Sequence, residues 1–180
     1  MVQLESDDLT LVVDDRPNPG IRRKESRCLQ AYLDPDGEME IDLFPDDGVV
    51  HDITTAVSHA NGILWVATYF GMSRYDGNHW KGYFDHDSGL ASNFINFIKA
   101  FGDVAYVCTD KGLSTFNSKE WVTYNKTDQG GKTVFYKDGQ ATTKPTPTGI
   151  SHDFTIGVDI QGDDIWVATS YGLSHGKRIN

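Results

Sequence analysis

A stretch of ten residues occurs three times along this chain, and this repetition limits the possible folds more than any other feature. The copies are LWVATYFGMS (64–73), AYVCTDKGLS (105–114) and IWVATSYGLS (165–174). A second pattern keeps the same spacings of 41 and 60 residues: GVVHDI (48–53), GLASNF (89–94) and GISHDF (149–154). Two patterns that share one pair of spacings predict a chain built from repeated structural units.

The residue pattern of each repeat unit predicts four short β-strands, which we call A to D. In the first unit, strand A is ITTAVSH, strand B is LWVAT, strand C is MSRYD and strand D is HWKGYF. The C–D turns, YDGN and FNSK, carry the Gly, Asn and Ser that hairpins favour. No segment shows a sustained helical period. Four strands in about 40–45 residues are typical of a propeller blade, so we predict an all-β fold: a partial or composite β-propeller of four-stranded antiparallel blades.

The repeat spacings divide the chain into four predicted parts. These are a degenerate or partial blade (1–47, with a C–D hairpin at about 27–45), a first blade (48–88), a second blade (89–148) and an incomplete third blade (149–180). The N-terminal assignment depends on Met39, which precedes Gly48 by the same interval that separates Trp80 from Gly89.

An insertion at about 126–148 separates strand D of the second blade from strand A of the third. Within it, KTVFYKDGQAT predicts a projecting hairpin with an Asp-Gly turn, and KPTPTG predicts an extended, Pro-rich return. Because the insertion joins D to A, we expect it on the same side of the blades as the other D–A connections.

The sequences GILWVATYFGMSRYDGNHWKGY and GDDIWVATSYGLS, with GLASNF between them, resemble the two-component regulator propeller repeat. The resemblance covers about residues 48–125 and 149–180, and it implies a β-propeller. Propellers of that family usually form the extracytoplasmic sensing parts of membrane histidine kinases. The resemblance therefore implies a sensory role and a periplasmic or extracellular location. The second unit departs from the family pattern by having Tyr106 in place of the Trp.

The number of predicted blades leaves the closure of the propeller open. If LTLVVDD (9–15) supplies strands to the partial blade, one chain forms four small blades. Alternatively, two chains close one ring of six, or the chain is a fragment or a subunit of a larger assembly. In these cases a protein partner or self-association completes the open blade, because an unpaired strand edge binds further strands.

Antiparallel strand order places the D–A connections and the B–C turns on one side of the blades, which we call the D–A face. Strand A lines the central channel, so residues just before it lie near the channel mouth. The sequence therefore predicts a ligand-binding site on this face. The residues before strand A are His51, Asp52, Ser92, Asn93, His152 and Asp153. The B–C turns add Tyr69, Phe70 and Tyr171, and the insertion adds Phe135 and Tyr136.

Each of these groups has a second, structural interpretation. The His-Asp pairs have the chemistry to bind a ligand or a metal ion. Alternatively, Asp or Asn caps the turn into strand A and the His is a loop residue. The aromatic residues have the chemistry to stack on a sugar or a peptide, or they pack between loops. The repeat-periodic Trp65, Trp80, Trp121 and Trp166 are expected in the core between blades.

Several classes of function lack support in the sequence. The net charge of −10 argues against nucleic-acid binding, which requires basic patches. No run of about 18 apolar residues predicts a membrane span, and the N terminus lacks a signal-peptide pattern. No catalytic motif occurs, and YLDPDGEMEID departs from a calcium loop at Leu43, so we predict no cofactor or metal. Cys28 and Cys108 form no disulfide framework, and Cys108 is expected as a small buried residue.

The sequence thus predicts a non-catalytic β-propeller module that binds a protein partner, a small ligand or a glycan on the D–A face. One alternative is a propeller lyase or hydrolase with His and Asp at the channel mouth. Another is a structural subunit of a larger extracellular assembly, completed by a strand from a partner.

Overall fold

The computed structural model describes residues 48–178 in full and four short N-terminal strands by their backbone. The N-terminal strands are β1 (Val2–Glu5), β2 (Thr10–Val13), β3 (Tyr32–Leu33) and β4 (Met39–Glu40). The strands that follow are β5 (Thr54–Ala60), β6 (Ile63–Thr68), β7 (Met72–Tyr75), β8 (Trp80–Tyr83), β9 (Ile95–Phe101), β10 (Val104–Thr109), β11 (Gly112–Phe116), β12 (Trp121–Thr127), β13 (Gly130–Lys137), β14 (Gln140–Thr146), β15 (Thr155–Gln161), β16 (Asp164–Thr169) and β17 (Gly172–Lys177).

The strands from β5 onward form three antiparallel sheets, each in chain order. Sheet 1 is β5-β6-β7-β8, sheet 2 is β9-β10-β11-β12-β13-β14, and sheet 3 is β15-β16-β17. Strands β1 and β2 pair with each other, as do β3 and β4. No helix occurs in the described part of the chain, so the predicted all-β class is confirmed. The described strands form separate sheets and not one closed barrel.

The first strands of the three sheets lie side by side, with β9 between β5 and β15. The Ala100 N–H in β9 donates to Ser58 Oγ in β5 (2.8 Å). On the other side of β9, Asn96 Nδ2 donates to the Thr155 carbonyl in β15 (2.8 Å). These bonds fix each sheet against the next, so that neighbouring sheets face one another.

Apolar side chains fill the space between sheets 1 and 2. Trp65 and Met72 of sheet 1 are buried against Ile98 and Trp121 of sheet 2. Phe116 joins the two sheets, because its ring stacks on Trp121 (4.4 Å between centroids) and meets the edge of Trp65 (5.9 Å). Such close aromatic packing contributes about 0.5–1.5 kcal/mol per pair beyond the burial of area.

A second core lies between sheets 2 and 3. It contains Tyr106 and Cys108 from sheet 2 and Val158 and Val167 from sheet 3. Cys108 is fully buried, as expected, and burial raises the pKa of its thiol to about 12. Cys28 lies outside the described residues.

The four repeat-periodic tryptophans do not share one environment. Trp65 and Trp121 are buried, which agrees with the predicted core position. Trp80 is half-buried and stacks on Tyr75 (4.8 Å). Trp166 in sheet 3 is exposed, so its predicted core position is wrong for the described residues. The reason is that no described sheet follows sheet 3 and covers its outer face.

The repeated Thr and Gly form one turn that occurs in every sheet. Thr68 Oγ1 donates to the Gly71 carbonyl (2.7 Å) and accepts from the Phe70 N–H (3.0 Å). The turns at Thr109 and Thr169 have the same two bonds. All three glycines have a positive φ, which L-residues adopt only with strain: Gly71 (94°), Gly112 (132°) and Gly172 (107°).

The repeated Ser in the third strand of each sheet explains why the two sequence patterns keep the same spacing. Its hydroxyl accepts a hydrogen bond from the backbone that leads into the first strand of the same sheet. The pairs are Val50 N–H to Ser73 Oγ (2.8 Å), Ala91 N–H to Ser114 Oγ (3.0 Å) and Ser151 N–H to Ser174 Oγ (2.7 Å).

The insertion extends sheet 2 and does not project from it, which corrects the prediction. Strand β13 pairs along the whole of β12, and β14 pairs along β13. The two strands turn at Asp138 and Gly139, both with positive φ, as the Asp-Gly signal predicts. The Pro-rich return is a strand as far as Thr146. Pro145 is tolerated because β14 is an edge strand, where its missing N–H faces no partner.

The predicted N-terminal hairpin is described only in part. Strands β3 and β4 pair antiparallel, with Tyr32 opposite Glu40, inside the range 27–45. The remaining residues of 1–47 lie outside the described part of the chain. The assignment of this region to a partial blade, and the division of the chain into blades, therefore stay predictions.

Gly112 and Gly102 offer a matched test of the turn geometry. A Cβ on Gly112 would lie 2.6 Å from Asn125 Nδ2 and 2.8 Å from the Tyr124 carbonyl oxygen. Gly102 also has a positive φ, but no atom lies within 4 Å of the equivalent position. Gly102→Ala should therefore cost only the backbone strain, about 1–2 kcal/mol. Gly112→Ala should lower the free energy of unfolding by about 1–3 kcal/mol more than Gly102→Ala does, as measured by urea denaturation. Equal losses would contradict the described turn.

Cys108 provides a test of the second core. In a Cys28→Ser variant at pH 8, we expect the Cys108 thiol to react with a disulfide reagent only as fast as the chain unfolds. The reagent attacks the thiolate, which burial disfavours by raising the pKa from 9.0 to about 12. Above pH 9 the unfolded chain loses this proton first, so this thiol lowers the free energy of unfolding as pH rises towards 12. Rapid labelling in the absence of urea would contradict the buried position.

Candidate functional site

In each of sheets 1 to 3, the start of the first strand (the inner strand) lies beside the turn between the second and third strands. This edge of the sheets is the D–A face. The Tyr69 N–H donates to the Ile53 carbonyl (3.0 Å). The same bond occurs in the other sheets, from Asp110 to Phe94 (3.3 Å) and from Ser170 to Phe154 (2.9 Å). Each inner strand is therefore held to the turn of its own sheet at this edge.

Three pairs of polar residues were predicted just before the inner strands: His51–Asp52, Ser92–Asn93 and His152–Asp153. The first residue of each pair caps the turn into the strand. His51 Nδ1 accepts from the Ile53 N–H (3.1 Å), and His152 Nδ1 accepts from the Phe154 N–H (3.0 Å). In sheet 2 the hydroxyl of Ser92 accepts from the Phe94 N–H (3.2 Å). The structural interpretation assigned the cap to Asp or Asn, and it is corrected here. An imidazole nitrogen and a Ser hydroxyl reach the N–H two residues ahead equally well.

The second residue of each pair has a different environment in each sheet. Asn93 holds the preceding connection: its Oδ1 accepts from the Asp85 N–H (2.9 Å) and its Nδ2 donates to Asp85 Oδ1 (2.8 Å). Asp153 Oδ1 accepts from the Lys126 N–H (2.6 Å), which ties β12 to the approach to β15. Asp52 is exposed. Asn93 and Asp153 thus each form a hydrogen bond that holds the fold together.

The capping bonds leave one nitrogen of each His for other contacts. Because Nδ1 of His51 and His152 accepts a backbone N–H, the ring proton lies on Nε2. His152 Nδ1 also lies 2.9 Å from the Ser170 hydroxyl. No group of three His, Cys, Asp or Glu side chains suited to a metal ion occurs among the described residues. Nε2 of each ring is thus in a position to donate a hydrogen bond.

Two of the predicted aromatic residues form an exposed surface at the turn of sheet 1. The Tyr69 ring lies 6.4 Å from the Phe94 ring, which belongs to sheet 2. The Phe70 ring lies 5.7 Å from Phe84 and 6.4 Å from the His51 ring. Tyr69, Phe70 and Phe94 remain exposed although they contact these neighbours. This surface joins sheets 1 and 2.

Three apolar residues of the D–A face were not predicted from the sequence. Ile53, Phe94 and Phe154 occupy equivalent positions and are 52%, 55% and 40% exposed. The sequence analysis placed Ile53 at the start of strand A and did not include it in the site. The signal was nevertheless present, because the position two residues after the capping residue is apolar in all three copies.

Tyr171 lies in the turn of sheet 3, apart from the Tyr69–Phe70 turn. This residue is 76% exposed, and Lys126 Nζ lies 5.8 Å from the centre of its ring. A cation in this position is weakly attracted to the face of the ring. Tyr171 is therefore available on the D–A face as predicted, but it belongs to a different sheet.

Phe135 and Tyr136 do not lie on the D–A face, and their predicted place in the aromatic surface is corrected. Tyr136 pairs with Trp121, at the end of β12 that follows the β11–β12 turn. The insertion does begin on the D–A face, but β13 runs back across the sheet before these residues occur. Tyr136 packs against the core between sheets 1 and 2, and Lys144 Nζ lies over the Phe135 ring (4.9 Å).

A cleft of about 420 Å³ lies between sheets 2 and 3. Its lining includes Leu113, Tyr124, Val167 and His175, and none of the predicted site residues. The cleft is open because sheet 3 has three described strands and carries Gly176 where sheet 2 has Phe116. It is therefore a gap in packing between the two sheets, bordered by Pro147 and Gly149 of the connection into β15.

Comparisons with known proteins add three structural neighbours. No known family profile and no curated protein matches the sequence. Two solved structures of the extracellular domain of BT4673 from B. thetaiotaomicron, described as a one-component and as a hybrid two-component system, align at 14% and 12% identity. Both alignments have a TM-score of 0.35 and cover 72% of this chain and 28% of the domain. The chain thus spans less than a third of the length of these domains.

The third neighbour is the computationally designed protein Ika4, which aligns at 9% identity and a TM-score of 0.36. The alignment covers 77% of this chain and 99% of the designed protein. TM-scores at this level assign neither fold nor function. Separately, the described residues contain no helix that is long and apolar enough to cross a membrane.

Replacing His51 separates a capping role from a ligand-binding role. His51→Ala removes the acceptor for the Ile53 N–H and should lower the free energy of unfolding by about 0.5–1.5 kcal/mol. His51→Ser should restore most of this loss, because Ser92 makes the same bond in sheet 2. Urea denaturation measures both variants. If His51→Ser is as unstable as His51→Ala, the capping bond does not stabilise the fold.

Proposed function

We propose that this chain is a non-catalytic β-propeller module that recognises a ligand or partner on its D–A face. The propeller assignment is supported by three antiparallel sheets whose first strands lie side by side and whose faces pack against one another. The observation that carries the binding role is the exposure of Ile53, Phe94 and Phe154 at one edge of three different sheets.

The exposed residues form a surface suited to a partly apolar ligand. Exposed aromatic side chains that contact one another, as Tyr69 and Phe94 do, are typical of interaction sites and not of solvated turns. Both rings are anchored on turns that hydrogen bonds hold in place. Their order lowers the entropic cost of binding, because few torsions remain to be fixed.

Polar groups beside this surface can orient a bound ligand through hydrogen bonds. His51 lies against Phe70 and has its Nε2–H available, and the Asp52 carboxylate is exposed next to it. A ligand with an apolar or aromatic face and hydrogen-bonding groups at its rim matches this arrangement. Peptides and glycans belong to this class. The sensory and extracytoplasmic roles implied by the repeat resemblance are part of the same proposal.

The bonds of the two histidines favour binding over the lyase or hydrolase alternative. A general base needs a ring nitrogen that is free to accept a proton. Nδ1 of His51 and of His152 is engaged by a backbone N–H, and Nε2 carries the ring proton. Asp153 is likewise engaged by the Lys126 N–H. These residues therefore act as supports and hydrogen-bond donors in the proposed function.

The third sheet supports a second role, as a subunit that docks on another chain. Trp166 and Leu173 are exposed, whereas the equivalent residues of sheet 1, Trp65 and Met72, are buried. An apolar surface of this kind is typical of a protein interface. This surface is separate from the D–A face, so the two roles are compatible.

The test of the proposed function uses the whole chain on arrays of peptides and oligosaccharides, followed by calorimetry of each bound compound. A Tyr69→Ala/Phe94→Ala variant should bind about tenfold more weakly or worse, because truncation of a central aromatic costs about 1–2 kcal/mol or more. Phe135→Ala is the matched control, since Phe135 lies at the other end of sheet 2. It should bind as the unaltered chain does.

Two results would contradict the proposed site. One is a ligand whose affinity falls with Phe135→Ala and not with the double variant. The other is turnover of a compound that ceases on replacement of His51 or His152, which would support the enzyme alternative. Circular dichroism of every variant separates lost binding from lost folding.

A further inference from the structure

Each sheet has a forward face towards the next sheet in the chain and a back face towards the preceding one. The forward face of sheet 1 contains Trp65, Ala67 and Met72. It packs on the back face of sheet 2, where Ile95 and Ile98 lie. The forward face of sheet 2 packs in the same way on the back face of sheet 3. One kind of interface thus occurs twice in the described residues.

The forward face of sheet 3 has the same residue pattern as that of sheet 1 but is uncovered. Trp166 and Leu173 are 41% and 63% exposed, whereas Trp65 and Met72 at the equivalent positions are 3% and 0% exposed. The neighbour of the indole ring is also matched, because His175 stacks on Trp166 (4.1 Å) as Arg74 lies over Trp65 (5.8 Å).

The first strand of sheet 1 shares two back-face residues with that of sheet 3, although His59 stands where Ile160 stands. Thr54 and Val57 in β5 stand where Thr155 and Val158 stand in β15. Val158 is 6% exposed because sheet 2 covers it, and Val57 is 64% exposed. Thr54 is exposed and Thr155 is buried. Val66, on the same face, is 4% exposed, so it is along β5 that the back face of sheet 1 lacks a covering sheet among the described residues.

We propose that a second copy of this chain covers the forward face of sheet 3 with the back face of its own sheet 1. The two uncovered faces are the matching halves of an interface that the chain makes twice within itself, and this match commits the partner to a second copy. Contact between two different faces is heterologous, and it closes into a ring when the rotation permits. Counting sheets 1 to 3 alone, two copies contribute six sheets, within the range of about 4–8 blades of closed propellers.

The polar edge of the interface agrees with this pairing. Between sheets 2 and 3, Lys99 Nζ contacts Asp159 Oδ1 (3.4 Å). Between sheets 1 and 2, Ser58 Oγ accepts from the Ala100 N–H (2.8 Å). At the equivalent position of the proposed contact, Asp159 faces Ser58 and His59 of the second copy. A carboxylate there meets hydroxyl and N–H donors and no second acid.

The inference depends on the propeller arrangement in the proposed function but not on the ligand site. Its experiment measures mass in solution, by light scattering after size separation of the unaltered chain. We expect twice the chain mass of 20.0 kDa. Leu173→Glu and Val57→Glu each destroy one of the two faces, so each variant alone should be monomeric. Because both side chains are largely exposed, neither change should unfold the chain.

An equimolar mixture of the two variants gives the decisive result. Leu173→Glu retains the back face and Val57→Glu retains the forward face, so one intact interface forms and a dimer should reappear. Tyr69→Glu, on the D–A face, is the control and should keep the mass of the unaltered chain. A monomeric unaltered chain would overturn the proposal, as would a mixture that stays monomeric. In the second case the forward face pairs with itself or with another surface.

Discussion

Sheets 1 to 3 each have apolar side chains on both faces, and none of these sheets buries either face by itself. A single small sheet is unstable in water unless another layer covers it. Both described cores are therefore buried where one sheet follows another, as Trp65 of sheet 1 is by Phe116 of sheet 2. This constraint places both cores between sheets and leaves an uncovered face at each end of the described series.

The same constraint separates stability from recognition. The packed positions lie along the faces of the sheets, whereas the D–A face is an edge that packing does not use. Side chains at this edge are held by local bonds, such as that from the Ile53 N–H to His51. Ile53 and Phe94 are thereby presented to solvent on turns that the fold fixes. Substitutions at an edge of this kind alter the ligand contacts without altering the core.

The sequence predicted local features well, because these depend on residues close together in the chain. The turns, the burial of Cys108 and the Asp138–Gly139 hairpin follow from local spacing and backbone preference. The identity of the capping residue was wrong, because His and Asp are adjacent and both carry an acceptor. The structure distinguishes them through the bonds of His152 and Asp153.

By itself, the sequence determined the repeat, the all-β class and the residues that each turn requires, since a Gly with positive φ or a capping side chain acts within a few residues. Only the tertiary structure decided which equivalent residues are buried. Trp65 and Trp166 have the same local sequence, yet one is covered and the other exposed. The difference arises because burial depends on the neighbouring sheet. Likewise, the direction of β13 after its turn moved Phe135 to the far edge, which no local pattern specifies.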